Sequence, residues 1–231
     1  MKHVLFCLIG LMIVLTGCSS SSDPTAPVNF AGGSVLLGLT GAHELRYVIY
    51  DSTITYLPVY SVTVDTTEVT MQITPGQNST YELGIDGDAH DLLTVDAIGV
   101  LHSGQILPDA IPEDTLIFYP TPVLMRQSLT VGAINAVTSP YYMDNGTARR
   151  MSLFFLNYGY HTLRKFVGQS QIVVPIASYN AYHFQTALML DENATDTVMT
   201  CDEYYAPNVG LVKMEARAPG SHRLIILLED D

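Results

Sequence analysis

Several groups of residues have types and spacings that could do chemistry. Asp86-Gly87-Asp88-Ala89-His90-Asp91 sets three carboxylates and an imidazole within six residues, a source of oxygen ligands for a cation such as calcium. The run lacks the further acids and the distant glutamate of an EF-hand loop, so it reads as a solvated hairpin turn. Asp191-Glu192-Asn193-Ala194-Thr195-Asp196 is a second acidic loop and reads the same way. His183, with Ser178 and a distant acid, would make a hydrolytic triad, but no G-x-S-x-G elbow accompanies it. A lone strand histidine is ordinarily a hydrogen-bonded or half-exposed side chain. Cys201 would attack only as the thiolate, and Asp202 and Glu203 directly after it oppose that ionisation, so it reads as a small hydrophobe on a strand. Among His43, His90, His102, His161, His183 and His222 no pair has the i, i+4 spacing of a helical zinc site. Neither a Walker loop nor a dinucleotide glycine pattern is present. The expectation is no catalytic set, no cofactor and no metal site, with weak cation binding at 86–91 left open.

Cys18 stands in a different setting. Lys2 and His3 precede twelve apolar residues, Val4 to Leu15, too few to span a bilayer and the right length for an export signal. The following Leu15-Thr16-Gly17-Cys18 resembles the bacterial lipobox. That resemblance implies a diacylglyceryl group on the Cys18 thiol, cleavage between Gly17 and Cys18, and an acylated new amino terminus. Small residues suit it, because an unbulky extended segment must enter membrane-embedded enzymes beside the thiol. The rival is an ordinary signal peptide with an incidental cysteine. Each buried methylene contributes about 0.8 kcal/mol and one chain anchors only marginally, so several chains on one cysteine hold a protein durably. Ser19 to Pro27 (SSSSDPTAP) is polar and small, a tether reaching roughly 30 Å when extended. By resemblance to enterobacterial sorting, Ser19 beside the cysteine implies the outer membrane, with the protein facing the periplasm.

The elements that would position these residues are strands. The sequence divides into a signal (1–17), a lipidated cysteine with its tether (18–28) and one domain (29–231). Removing residues 1–17 takes Lys2 and no acid, so the formal charge of −13 becomes −14. Nucleic acid is excluded as a partner, since Arg149-Arg150 and Arg164-Lys165 are too small a basic footprint. Of three cysteines, Cys7 leaves with the signal and Cys18 is lipidated, so Cys201 has no intramolecular partner.

Period-two alternation predicts strands at 43–50, 59–64, 68–74, 79–85, 92–101, 150–156, 172–176, 181–190, 210–216 and 221–228. Turn signals separate them at Pro75-Gly76, Asp86-Gly87, Asp144-Asn145-Gly146 and Pro219-Gly220. TLRKFVG (162–168) reads as a short helical turn. Residues 107–122 contain four prolines and read as a long crossover. The fold class is mainly β: a single antiparallel curved sheet or half-barrel, built as a meander with little helix.

Tyr204-Tyr205-Ala206-Pro207-Asn208-Val209-Gly210-Leu211-Val212-Lys213 resembles the signature of a family of uncharacterised bacterial lipoproteins, an aromatic residue followed by Ala-Pro-Gly-Val-Gly-Leu-Val-Lys before a last hairpin. Val173-Val174-Pro175 to Ala181 resembles the same family's strand and turn, with Ala177 and Asn208 at glycine positions. The resemblance covers the last 60 residues and implies a curved sheet similar to the lipoprotein carriers of the bacterial envelope, with no enzyme activity. Read from the residues alone, Pro207, Asn208 and Gly210 make a turn, since proline fixes φ and asparagine and glycine tolerate the left-handed region.

Fourteen tyrosines against seven phenylalanines and no tryptophan suit either a wet apolar groove or ordinary sheet composition. The function expected is non-catalytic: a lipid-anchored envelope protein that binds an unknown envelope protein or an apolar ligand on its sheet. The alternatives are a lipid or lipoprotein carrier with 107–122 as a flap, and a hydrolase using His183 or the 86–91 acids.

Overall fold

The computed structural model describes residues 30–56, 60–86, 90–107, 114–117, 123–138, 142–144, 147–149, 152–153, 156–157, 161–189 and 196–231. A one-turn helix, α1 (Gly33–Leu36), comes first. The first half then forms β1 (His43–Thr55), β2 (Ser61–Pro75), β3 (Thr80–Ile85), β4 (His90–Val95), β5 (Gly99–Leu107), β6 (Asp114–Ile117), β7 (Val123–Arg126) and β8 (Ile134–Thr138). Four short strands follow, β9 (Tyr142–Asp144), β10 (Thr147–Arg149), β11 (Ser152–Leu153) and β12 (Leu156–Asn157). The long closing strands are β13 (His161–Val173), β14 (Ser178–Met189), β15 (Thr197–Ala206), β16 (Gly210–Ala218) and β17 (Ser221–Asp230).

Thirteen strands form one open antiparallel sheet in the order β6-β5-β4-β3-β2-β1-β17-β16-β15-β14-β13-β8, with β7 also pairing β5. The fold is thus two meanders, β1 to β6 and β13 to β17, joined where the first strand pairs the last: Ile49 faces Ile225 and Tyr50 faces Leu224. Among the described residues β9 pairs with β10, and β11 with β12, apart from the main sheet.

Alternation decides which side is buried. Leu45, Tyr47 and Ile49 of β1, Met71 and Ile73 of β2, Leu93 of β4, Phe184 of β14, Met214 of β16, and Ile225 and Leu227 of β17 all join one core. A flat sheet of this many strands would be roughly 55 Å across, so curvature lets one face bury its own side chains. The N-terminal segment completes the burial. Leu36, Leu37 and Leu39 are at most 3% exposed, and Phe30 meets Phe166 and Tyr182 edge-on at 5.4 and 5.5 Å. Gly33 permits this approach, because a Cβ there would sit 2.6 Å from the Met125 carbonyl oxygen.

The structure departs from the sequence expectations at several points. TLRKFVG is strand, part of β13, because Thr162, Arg164 and Phe166 are buried while Lys165 is exposed. Residues 61–64 and 68–74 belong to one strand, β2, while 92–101 is split into β4 and β5 by a turn in which Asp96 Oδ1 accepts from the Ile98 and Gly99 amides. In the expected strand at 150–156 the described residues instead belong to two short strands, β11 and β12, that pair antiparallel with each other. Of residues 172–176 only Ile172 and Val173 are strand, the end of β13, and the Val174 amide donates to the Ala177 carbonyl in the turn at 174–177. The proline-rich 107–122 stretch contributes β6, an outermost strand beside β5, where missing amide donors do least harm. β8 and β15 were not foreseen from alternation at all.

Candidate functional site

The inner face is where a cargo groove would lie, and the described residues fill it. α1 and its flanks sit against β5, β7 and β16, and Leu124 and Met125 of β7 belong to the same core. The segment is held by backbone bonds as well as by packing. The Leu36 and Leu37 amides donate to the Gly32 and Gly33 carbonyls at 3.1 and 3.0 Å, and the Asn208 amide reaches the Val35 carbonyl at 2.8 Å.

At the β13–β15 end this face buries a charged group. Arg164 bonds Glu203, donates to the Leu124 carbonyl at 3.0 Å and reaches the Tyr205 hydroxyl at 3.2 Å. The Tyr205 hydroxyl donates to Glu203 Oε2 at 2.7 Å, and Thr186 donates to Oε1. Glu203 is 0% exposed and Arg164 5%. The guanidinium also lies 5.7 Å from the ring centres of Phe184 and Tyr205. The cluster ties three adjacent strands together and fixes β7 over them. Tyr47 shows the same pattern, its buried hydroxyl donating to the Leu211 carbonyl at 2.9 Å.

The outer face carries a polar row. His183 Nε2 lies 2.8 Å from Asp202 Oδ1, and Arg217 donates to Asp202 Oδ2 at 3.2 Å. Arg217 also meets Glu215 at 2.6 Å, and His222 lies 2.9 Å from the same carboxylate. Partial burial opposes ionisation of Asp202, but bonds from His183 and Gln185 outweigh it and hold the pKa below the usual value. Glu215 behaves alike: burial is overcome by the His222 bond and the Arg217 charge. A depression of about 420 Å³ beside this row is lined by Ile134, Leu163, Lys165, Gln185, Ala187 and Asp202.

The hydrolytic triad is not assembled. His183 has an acid and stacks on Tyr204 at 4.5 Å, but Ser178 lies five residues away on the same strand and therefore on its opposite face. Ser178 instead accepts from Gln171 Nε2 at 3.1 Å. Cys201 is buried on β15, where burial first and Glu203 second push its thiol far above the ordinary range.

The described acids of this run, Asp86 and Asp91, have separate tasks. Asp86 Oδ1 accepts from the Thr70 amide at 2.8 Å, and the Asp86 amide donates to the Thr70 carbonyl at 3.0 Å. His90 pairs with Glu82. Asp91 is buried against His102 Nε2 at 3.0 Å and Gln105 at 3.3 Å, and desolvation raises its pKa despite those bonds. Residues 87–89 and 190–195 lie outside the described residues, as do Gly17, Cys18 and the tether. No group of three or more metal-ligating side chains occurs among the described residues.

In the turn between β15 and β16, Asn208 has φ 66 and Gly210 φ 107, both in the left-handed region, and Ala177 is not among the positive-φ residues. Among the described residues the tyrosines are divided between the two faces of the sheet. Tyr182 and Tyr205 are core, whereas Tyr204 stacks on the outside. The Arg164–Glu203 pair escaped the sequence reading because charges at inward positions break the apolar alternation that marks a strand.

No family model matches the chain, and no curated protein matches it. Solved structures similar to it include a candidate lipoprotein from Parabacteroides distasonis, 13% identical over 85% of this chain and 98% of that one, with a TM-score of 0.37. A beta-barrel-like protein of a domain of unknown function from Brucella abortus is 8% identical, over 83% and 97%, with a TM-score of 0.45. A LolA superfamily protein from Nitrosomonas europaea is 8% identical over 86% and 89%, with a TM-score of 0.35.

Proposed function

We propose that the chain is a lipid-anchored protein of the bacterial cell envelope, held through Cys18 at the outer membrane and facing the periplasm, whose sheet acts by contact with a partner. The observation that carries this reading is the filled inner face: Leu36, Leu37 and Leu39 occupy the space a cargo would need, at 0 to 3% exposure. A carrier would have to expel that segment, at a cost of about 0.8 kcal/mol for each methylene returned to water. The proposed flap offers no easier route, since its strand β6 is paired with β5 from Gly104 to Leu107. Among the described residues that could have served a hydrolase, His183 is engaged by Asp202 and Tyr204, and Cys201 is buried.

Organic extraction of the purified full-length protein, followed by mass spectrometry for non-covalent lipid, tests the choice between contact and carriage. An empty protein is the expected result; lipid at one equivalent supports the carrier. Palmitate labelling tests the anchor, with a Cys18→Ser variant expected to lose both label and membrane attachment. Ester, glycoside and peptide hydrolysis unchanged by His183→Ala removes that residue from any enzymatic account.

A further inference from the structure

The β1–β2 hairpin extends beyond the rest of its meander. β2 pairs β1 along its whole length, Ser61 to Ile73, without a register shift, but pairs β3 only from Met71 to Pro75. Residues 61 to 68 are exposed, Val62 at 52% and Val64 at 60%. The direction of their backbone groups follows from hydrogen bonds at the two ends. The Ile54 amide donates to Gly220, away from β2, so its partner Val62 also turns its amide and carbonyl away from β1. At the other end the outward amide and carbonyl of Thr70 are both taken by Asp86. Between these ends Val62, Val64, Thr66 and Glu68 present four N–H donors and four C=O acceptors on a continuous outer edge.

Natural sheets blunt such an edge with lysine, proline, a bulge or an inward-pointing charge. Residues 61–69 contain no lysine, proline or bulge, and their charges are Asp65 and Glu68, which oppose an acidic strand and favour a basic one. The template is also firm, because β1 behind it is paired to β17 as far as Thr53. The charges of the hairpin edge itself are acidic, and Arg223 of β17, which lines a depression with Asp65, is engaged by both carboxylate oxygens of Asp51. No lysine or arginine occurs between Arg46 and Arg126, whereas eleven aspartates and glutamates do. Asp65 lies on the inward-facing side of the edge and Glu68 on the other, and Val62 and Val64 share the Glu68 side.

We propose that the outer edge of β2, residues 62–68, is a strand-addition site that takes an extended, lysine- or arginine-bearing segment of a partner protein. The main chain of the segment completes the ladder, a β-branched residue packs beside Val62 and Val64, and basic residues face Asp65 and Glu68. A second copy is the poorer occupant: two acidic wings repel, and a two-fold pairing centred on Asp65 sets like charges directly opposite. The inference rests on the contact role proposed above and names its surface and its partner chemistry.

The test uses the full chain and a synthetic capped peptide, Thr-Lys-Thr-Val-Lys-Val-Thr-Val, with a control in which both lysines are glutamate. Amide hydrogen exchange is followed at Val62, Val64, Thr66 and Glu68. The lysine peptide should slow exchange there by roughly ten-fold or more, weakening with salt, while the glutamate peptide should not. Val64→Pro removes an outward donor and no β1 ladder bond, so it should fold as the parent does and lose the protection. Unchanged exchange with the lysine peptide, equal protection by the glutamate peptide, or full protection in Val64→Pro each overturns the proposal. So does protection without peptide in a concentration-dependent dimer, which would assign the edge to a second copy. None of these outcomes bears on whether the inner face holds lipid, so failure here and failure of the contact role are separable.

Discussion

Arg164 of β13 and Glu203 of β15 meet across β14 beneath β7, with both charges out of water. Removing one partner leaves the other charge buried and unpaired. Glu203→Gln is therefore expected to lower stability by about 3–5 kcal/mol. An Arg164→Met, Glu203→Leu double variant should recover most of that loss, since neither charge then remains. Urea unfolding midpoints of the three proteins check this.

The inner-face segment should behave as core. Leu36→Ala and Leu37→Ala each remove a side chain with at most 1% exposure, and each is expected to cost about 2–5 kcal/mol. Phe30→Ala should loosen the same region, because its ring contacts Phe166, Tyr182 and Phe184. Denaturant titration gives the energies.

Asn208 holds φ 66. Asn208→Gly should leave stability nearly unchanged, and Asn208→Val should lower it by about 1–2 kcal/mol, since a β-branched residue resists that conformation. Thermal unfolding of the two variants separates this backbone effect from any side-chain contact.

The outer carboxylates set a pH dependence. Asp202 and Glu215 have folded pKa values below their ordinary 3.8 and 4.5. Such groups add stability above the unfolded value, and lose it as the pH falls through the folded one. Asp202→Asn and Glu215→Gln should thus be destabilised at pH 7, keep that deficit down to the ordinary values of 3.8 and 4.5, and converge on the parent only as the pH falls below them through the folded values. Asp91 runs the other way, because desolvation raises its pKa. Asp91→Asn should gain on the parent as the pH rises through that raised value. Unfolding curves between pH 3 and pH 7 check all three.

The strand-rich class was legible because Leu45, Tyr47 and Ile49 recur at every second position of β1 beside the polar Glu44 and Arg46, although Val48 on the other face is buried as well. β13 and β15 were harder to read. Their inward positions include Arg164, Thr186's neighbour across the ladder, and Glu203, so polarity appears on both faces. The break between β4 and β5 was hidden because Asp96-Ala97-Ile98 reads as a continuing strand until the side chain of Asp96 is seen closing the turn. Long-range facts were not accessible from local pattern: the pairing of β1 with β17, the N-terminal segment against the inner face, and the failure of β3 to cover the far half of β2. The division of His183 and Ser178 between two faces, by contrast, follows from counting along one strand.

Hydrogen exchange of the Leu36, Leu37 and Asn208 amides in the full-length protein tests the central claim most directly, because their bonds to Gly32, Gly33 and Val35 hold the inner-face segment in place. A permanently filled core requires these amides to exchange as slowly as those in the middle of β14, through global unfolding alone. Exchange orders of magnitude faster than in β14 would mean that the segment opens independently, and the account of a sheet that works by contact and carries no cargo would be contradicted.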